Sequence, residues 1–265
     1  MNLQKLSPII GSLLAAGVLL LSSALLTSCA DDDPVLAGTE VTFRFSHDFD
    51  GEMVDNTTFN QFNYINANGD TLSISRLRYL ISDIVITAEN GDLYQVEGYQ
   101  LVDVTAGTGM ILKMDGELPQ GTYTGLSFTF GFDEEDNIDN GYPDLNIAAW
   151  NWPAVLGGGY HFMQMEGLFR NEGVNTPYAY HHGTARVSTG VFEQNFFETD
   201  LGGFTINKQF TEIEIRMDIS EWYKNPNTWD LSVYNMTLMP NYDAQKLMQA
   251  NGATVFSLGS VSQNN

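Results

Sequence analysis

Along most of this chain apolar residues recur at every second position, a period that a strand buries on one face and a helix of 3.6 residues per turn does not. Over residues 40–48, Val41, Phe43, Phe45 and His47 alternate with Thr42, Arg44 and Ser46. Residues 211–220 repeat the pattern, with Ile213, Ile215, Met217 and Ile219 set against Glu212, Glu214 and Arg216. Similar stretches predict strands over 72–87, 94–104, 110–114, 123–132, 160–169, 178–187 and 228–239. Turn sequences separate them: Asn68-Gly69-Asp70, Asn90-Gly91-Asp92, Pro119-Gln120-Gly121 and Gly157-Gly158-Gly159. Only residues 242–251 read as a helix, with Ala244, Leu247 and Met248 on one side and Asn251-Gly252 as a stop. Many short strands joined by Gly-rich turns predict an all-β fold: a single antiparallel β-sandwich of Ig-like or Greek-key type with one short C-terminal helix.

The N-terminus has a different character. Lys5 precedes an apolar run over residues 9–26 (IIGSLLAAGVLLLSSALL), and Leu26-Thr27-Ser28-Cys29 follows. A positive residue, an apolar run and small residues before a cysteine form the layout of a secretory leader. The pattern resembles the lipobox, in which a peptidase cuts before a cysteine carrying a diacylglyceryl group. Residues 1–28 are therefore expected to be a lipoprotein signal peptide, with Cys29 the site of lipid attachment to a bilayer. Residues 29–38 carry Asp31-Asp32-Asp33, Pro34 and Gly38 and read as an acidic tether. Such an acidic run resembles the export tag of surface-exposed lipoproteins, so the expected location is the outer membrane, facing the periplasm or the surface. The folded domain is expected over 39–261, with a tail over 262–265. Cys29 is the only cysteine, so an internal disulfide is excluded, and acylation accounts for the unpaired thiol.

Charge narrows the partners. The chain has 11 Lys and Arg against 33 Asp and Glu, and loss of Lys5 with the leader leaves 10 against 33, a net −23. Nucleic acid is excluded as a partner, because phosphate binding depends on clustered basic residues. Cations, by contrast, are concentrated around so negative a surface.

No motif of covalent catalysis is present. There is no G-x-S-x-G, no H-E-x-x-H and no phosphate-cradling glycine loop, and the chain is read as non-enzymatic. The acidic run Asp133 to Gly141 invites comparison with a calcium loop. Aligning Gly141 with the sixth position of an EF-hand puts Ile138 third and Ile147 twelfth, where oxygen ligands are required. An EF-hand is thus excluded, and an irregular Ca²⁺ site is the lesser metal expectation.

The four histidines, His47, His161, His181 and His182, carry more information. His47 closes an apolar strand face, where a histidine commonly serves as a hydrogen-bonded core residue. Alternation sends His181 and His182 to opposite faces, so only one can join a given site. Taken as one strand, residues 160–166 place His161, Met163 and Met165 on one face and Tyr160, Phe162, Gln164 and Glu166 on the other. Imidazole with thioether suits copper, while methionine on an apolar face is also ordinary core packing.

These residues carry a family resemblance. Phe43-Arg44-Phe45-Ser46-His47 and Gly51 are followed by Asn68-Gly69, Leu77-Arg78-Tyr79-Leu80-Ile81-Ser82-Asp83 and Leu101-Val102-Asp103. Next come Pro119-Gln120-Gly121-Thr122-Tyr123, Phe130-Gly131-Phe132, Asn137 and Trp150-Asn151-Trp152. Gly159-Tyr160-His161-Phe162, Glu166, His181-His182-Gly183, Asn251 and Phe256-Ser257-Leu258 complete the series. In this order the pieces resemble the MbnP-like domain family, relatives of a periplasmic copper-binding protein encoded with methanobactin operons.

The resemblance implies a copper-binding, non-catalytic β protein. In the best-known members histidine nitrogens hold the copper, and a tryptophan is oxidised to kynurenine by a di-haem peroxidase similar to MauG. His47 and His181 match histidines of the family pattern, whereas His161 falls where other residue types are common and His182 at a variable position. Trp150 and Trp152 match the family's paired tryptophans and are the candidates for modification. Members paired with the peroxidase often carry four cysteines, a feature this chain lacks. The expected site holds one copper ion on His47 and His181, with His161, Met163 or a tryptophan-derived group completing the sphere. Its affinity is expected to fall with pH through the histidine range near ~6.5. The competing expectation is a metal-free surface or periplasmic module that binds protein or glycan.

Overall fold

A computed structural model describes residues 38–265; the leader, Cys29 and nearly all of the tether lie outside the described residues. The chain forms β1 (Gly38–Phe49), β2 (Glu52–Met53), β3 (Tyr64–Ile65), β4 (Thr71–Ala88), β5 (Leu93–Asp103), β6 (Ile111–Lys113), β7 (Leu118–Pro119) and β8 (Gly121–Phe130). Helix α1 (Pro143–Ile147) and a 3₁₀ turn at Ala154–Leu156 precede β9 (Met163–Asn171), β10 (Val174–His182), β11 (Ala185–Ser188) and β12 (Val191–Glu193). Then come β13 (Phe197–Asp200), β14 (Phe204–Ile206), β15 (Phe210–Asp218), a 3₁₀ segment at Ile219–Tyr223, α2 (Tyr242–Gly252) and β16 (Phe256–Asn264).

Two sheets make the sandwich. The first runs β16-β15-β1-β2, with β6 and β7 also pairing with β1; the second runs β10-β9-β4-β8-β13, with β3 and β5 on β4 and β14 on β8. The architecture is the expected all-β sandwich, antiparallel in every strand pair but one. The exception is β1 with β15, which run parallel from Glu40 opposite Phe210 to Asp48 opposite Asp218.

The period of two explains the core. Val41, Phe43 and Phe45 of β1 and Ile213, Ile215 and Met217 of β15 meet Leu72, Ile74, Leu77, Tyr79 and Ile81 of β4 and Phe128 and Phe130 of β8. At ~25 cal/mol per Å² of apolar surface removed from water, burial of these faces is the main force closing the sandwich. Arg44 and Ser46 point away from this core and bond to Glu212 and Glu214 of the parallel neighbour.

Strand β4 is the hub, paired with β3, β5, β8 and β9. Its registers shift around Asp83, whose φ is 52°. A bulge of this kind bends the strand and re-aims the residues beside it. Around Leu80 the outer face of the second sheet is covered: Leu80 packs there with Phe132, Leu145, Trp150 and Tyr160 in a small second cluster. The covering segment, residues 131–160, holds α1 and the 3₁₀ turn.

Several expectations need correction. Residues 228–239, expected as a strand, form turns, because Asp230 accepts from the backbone of Ser232 and Tyr234 and Thr237 adopts φ 59°. Local side-chain hydrogen bonds of this kind compete with the sheet ladder. The strand expected over 160–169 begins only at Met163, and that over 178–187 breaks at Gly183 into β10 and β11. Residues 262–264, expected in a tail, belong to β16. The helix expected over 242–251 is present as α2, and Asn241 caps it through a bond from the Ala244 N–H.

Candidate metal centre

The second sheet sorts the histidines by face. In the register, His181 lies opposite Gln164 and Gln164 opposite Arg78, while the next row is His182, Met163 and Tyr79. Residues directly across a ladder share a face. Met163 and Tyr79 belong to the inter-sheet core, so His182 points inward and His181 outward, as alternation predicted.

His47 also points inward. It is 4% exposed, and its Nε2 lies 2.9 Å from the Tyr79 hydroxyl across the sandwich. His47 and His181, expected to share one ion, are therefore on opposite sides of the second sheet. The expected pairing is overturned, because β1 supplies the other wall of the core and not the outer face.

His161 joins His181 instead. Before β9 begins, the Tyr160–His161 backbone pairs with the Trp150–Asn151 strip: the His161 N–H donates to the Trp150 carbonyl at 2.9 Å, and Asn151 bridges to Tyr160. Both Phe162 and Met163 then face the core, so the alternation is interrupted between them. His161 consequently faces outward, away from Met163, and the expectation that the two share a face is also overturned. The covering segment folds back here because Gly157, Gly158 and Gly159 all take positive φ (119°, 71° and 75°). A side chain at Gly159 would collide with Asn137, whose Oδ1 accepts from the Tyr160 N–H.

The result is an aromatic pocket around two imidazoles. The rings of His161 and His181 are 5.3 Å apart and nearly perpendicular. Trp150 and Trp152 lie 5.5 and 4.9 Å from His161. Both tryptophans are buried, and His161 is 6% exposed. Gly183 makes room for this wall, since a Cβ there would sit 2.6 Å from the Trp152 ring. Gly183→Ala is expected to displace Trp152 and to cost about 1–3 kcal/mol by overpacking. Thermal melting together with tryptophan fluorescence would check it; an unchanged melt and spectrum would show the wall to be pliable.

Each imidazole has one nitrogen fixed. His161 Nδ1–H donates to the Trp150 carbonyl at 3.0 Å, and His181 Nε2–H donates to Glu166 Oε1 at 2.9 Å. A carbonyl and a carboxylate only accept, so the neutral rings carry their free lone pairs on His161 Nε2 and His181 Nδ1. Glu166 is held below the usual carboxylate range by the bond from His181 and by Arg76. The pKa of His161 is pushed down to about 3 by burial, then by the charges of His181 and Arg78, against the backbone at Trp150 and Asn151. Its ring is therefore neutral, and able to accept a metal, over the whole physiological range. The expected loss of affinity near ~6.5 does not come from His161.

The remaining expected ligands are placed elsewhere. Met163 is in the core. The acidic loop spends its oxygens on fastening itself down: Asp133 accepts from the Asp136 N–H at 2.9 Å, and Asp139 from the Gly159 N–H at 3.3 Å. Among the described residues no group of three or more His, Cys, Asp or Glu is arranged to hold a metal. The candidate site thus offers two imidazoles. Sequence reasoning missed Arg78 and Gln164 as its neighbours, which only the register between β4, β9 and β10 reveals.

Comparison with known proteins follows the same line. The family profile described as MbnP matches residues 38–240. Among solved structures, MbnP from Methylosinus trichosporium superposes with a TM-score of 0.55 at 14% identity, covering 84% of this chain and 99% of that one. A search of curated proteins finds no match.

Proposed function

The chain belongs to the MbnP family, and from that premise we propose that it is a non-catalytic, copper-binding lipoprotein of the bacterial cell envelope. The metal is held by His161 Nε2 and His181 Nδ1 under the lid of residues 131–160. One observation carries the reading: each imidazole donates its one N–H to a fixed acceptor, a backbone carbonyl for His161 and the Glu166 carboxylate for His181, and leaves the other nitrogen free. Metal-ligating histidines are oriented in this way, which fixes the tautomer and raises the basicity of the free nitrogen. The two rings stand 5.3 Å apart, close enough for both to belong to one site. Imidazole is a good copper ligand, and a hard cation such as Ca²⁺ would require oxygens that this pocket does not converge.

In a copper titration against a competing chelator, His161→Ala and His181→Ala are each expected to lower affinity by about 100-fold or more. Glu166→Gln, which leaves both ligands in place, is expected to lose about 10–100-fold. His47→Ala is expected to leave copper affinity unchanged while lowering the melting temperature, because it removes the buried bond to Tyr79. Wild-type affinity no higher than that of His161→Ala would overturn the copper reading, and a metal-free protein- or glycan-binding module would take its place.

Anchoring belongs to the same proposal. The signal-like run, Cys29 and the aspartates after it support lipidation and attachment to the outer membrane, on its periplasmic or external side. Cys29→Ser is expected to yield an uncleaved precursor or a soluble product, since the lipid is the anchor. Unchanged mass and membrane fractionation would overturn it.

A further inference from the structure

The pocket contains a cation that neither imidazole requires. Arg78 of β4 reaches across the outer face, and its guanidinium carbon lies 4.8 Å over the Trp150 ring. Nη2 donates to Gln164 Oε1 at 2.6 Å and Nη1 to the Ala148 carbonyl at 3.3 Å, while Nε is buried without a partner. The nearest carboxylate, Asp103, is 4.0 Å away, at the limit of an ion pair. Glu166 is engaged by Arg76 and His181, both at 2.9 Å. The Arg78 charge is thus held in place chiefly by neutral groups, with the side chain only 16% exposed. A buried charge without a close counter-ion is costly to keep, and a purely structural role at this position would be served by a neutral amide.

Resting on the copper reading, we propose that Arg78 is the specificity-determining residue that makes the His161–His181 centre prefer the cuprous over the cupric ion. A fixed positive charge in a poorly hydrated pocket repels each added unit of charge on a bound ion, and the interior's low dielectric magnifies the effect. The donor set acts in the same direction. Among the described residues no third His, Cys, Asp or Glu is grouped with the two imidazoles to hold a metal, which falls short of the tetragonal nitrogen and oxygen sphere that Cu(II) favours. Gln164, which accepts from Arg78 Nη2 at 2.6 Å, lies directly across the ladder from His181. Trp150, stacked under the guanidinium and 5.5 Å from His161, links Arg78 to that ring.

The test uses two substitutions in the full mature domain, Arg78→Gln and Arg78→Lys, with Cu(I) and Cu(II) affinities measured separately by chelator competition, the former without oxygen. In Arg78→Gln the ratio of Cu(I) to Cu(II) affinity is expected to fall by about tenfold or more, through a gain in Cu(II) binding. Arg78→Lys, which keeps the charge and loses the planar fork, is expected to hold the wild-type ratio within about threefold. An unchanged ratio in Arg78→Gln, or equal losses of both ions in both variants, would overturn the proposal and leave Arg78 as scaffold. A wild-type domain that binds neither ion would instead overturn the copper reading on which it rests.

Discussion

Acid is expected to unfold the metal-free domain well above the pH at which its carboxylates alone would. His47, His161 and His182 are each pushed down to about 3, in every case chiefly by burial. Their folded pKa values lie below the unfolded value near ~6.5, so the unfolded chain binds more protons wherever the pH falls between the two. The stability tied to these rings is complete above ~6.5 and is lost as the pH falls toward about 3. Each histidine contributes roughly 1.4 kcal/mol per pH unit within that window, so the three together contribute about 4. Against a typical total of ~5–15 kcal/mol, a drop from pH 6.5 to 4.5 removes most of the margin. Denaturant melts of the metal-free domain at half-unit pH steps would read the slope directly. His47→Gln, which retains a polar partner for Tyr79, is expected to remove about a third of it. A stability flat between pH 7 and 5 would show that the rings are hydrated or already charged.

Asn195→Ala is expected to be the most damaging small substitution outside the apolar core. Asn195 is fully buried, and its amide nitrogen reaches His182 Nε2 at 2.8 Å, the Gly183 carbonyl at 3.1 Å and the Gln245 carbonyl at 3.1 Å. Truncation leaves buried acceptors without a donor, at about 1–3 kcal/mol for each group stranded, in addition to a cavity. A loss of about 3–5 kcal/mol would lower the melting temperature by roughly 10 °C in a domain of this size. The damage should also reach the proposed copper site. Gln245 of α2 donates to the His181 carbonyl at 2.8 Å and accepts from the Gly183 N–H at 3.2 Å, so the same network sets the end of β10. Copper affinity is therefore expected to fall with stability in Asn195→Ala. A variant that melts early yet binds copper normally would separate the two roles.

The sandwich was legible because its signal is local. Val41 to His47 and Ile213 to Ile219 declare their faces within a few residues, and β1 and β15 follow them. The split between His181 and His182 was legible for the same reason. The site itself was not, because it depends on which strands are neighbours. His47 and His181 both stand in family-like motifs, yet nothing in a single sequence says that one lines the inner face and the other the outer. The position of His161 was lost to a break in periodicity between Phe162 and Met163, which becomes visible only when the Trp150–Asn151 strip pairs with Tyr160–His161. Likewise the turns at 228–239 were misread because their aromatic and aliphatic residues suggest a strand, while Asp230 closes the backbone on itself.

The parallel pairing of β1 with β15 also constrains the order of assembly. Arg44 and Glu212, whose side chains bond across this pairing, are 168 residues apart in the chain, and β15 in turn pairs with β16, the last strand. The first strand to emerge from a ribosome or a translocation pore thus waits for nearly the whole domain before its central partner exists. Contacts this distant in sequence slow folding, because the loop they close is paid for before they form. Until then β1 is an apolar strand with an unpaired edge, a template for the wrong partner. A nascent chain halted before residue 210 would be protease-sensitive throughout its first strand, and release of the remaining residues, 210–265, would convert it to the resistant fold in a single step.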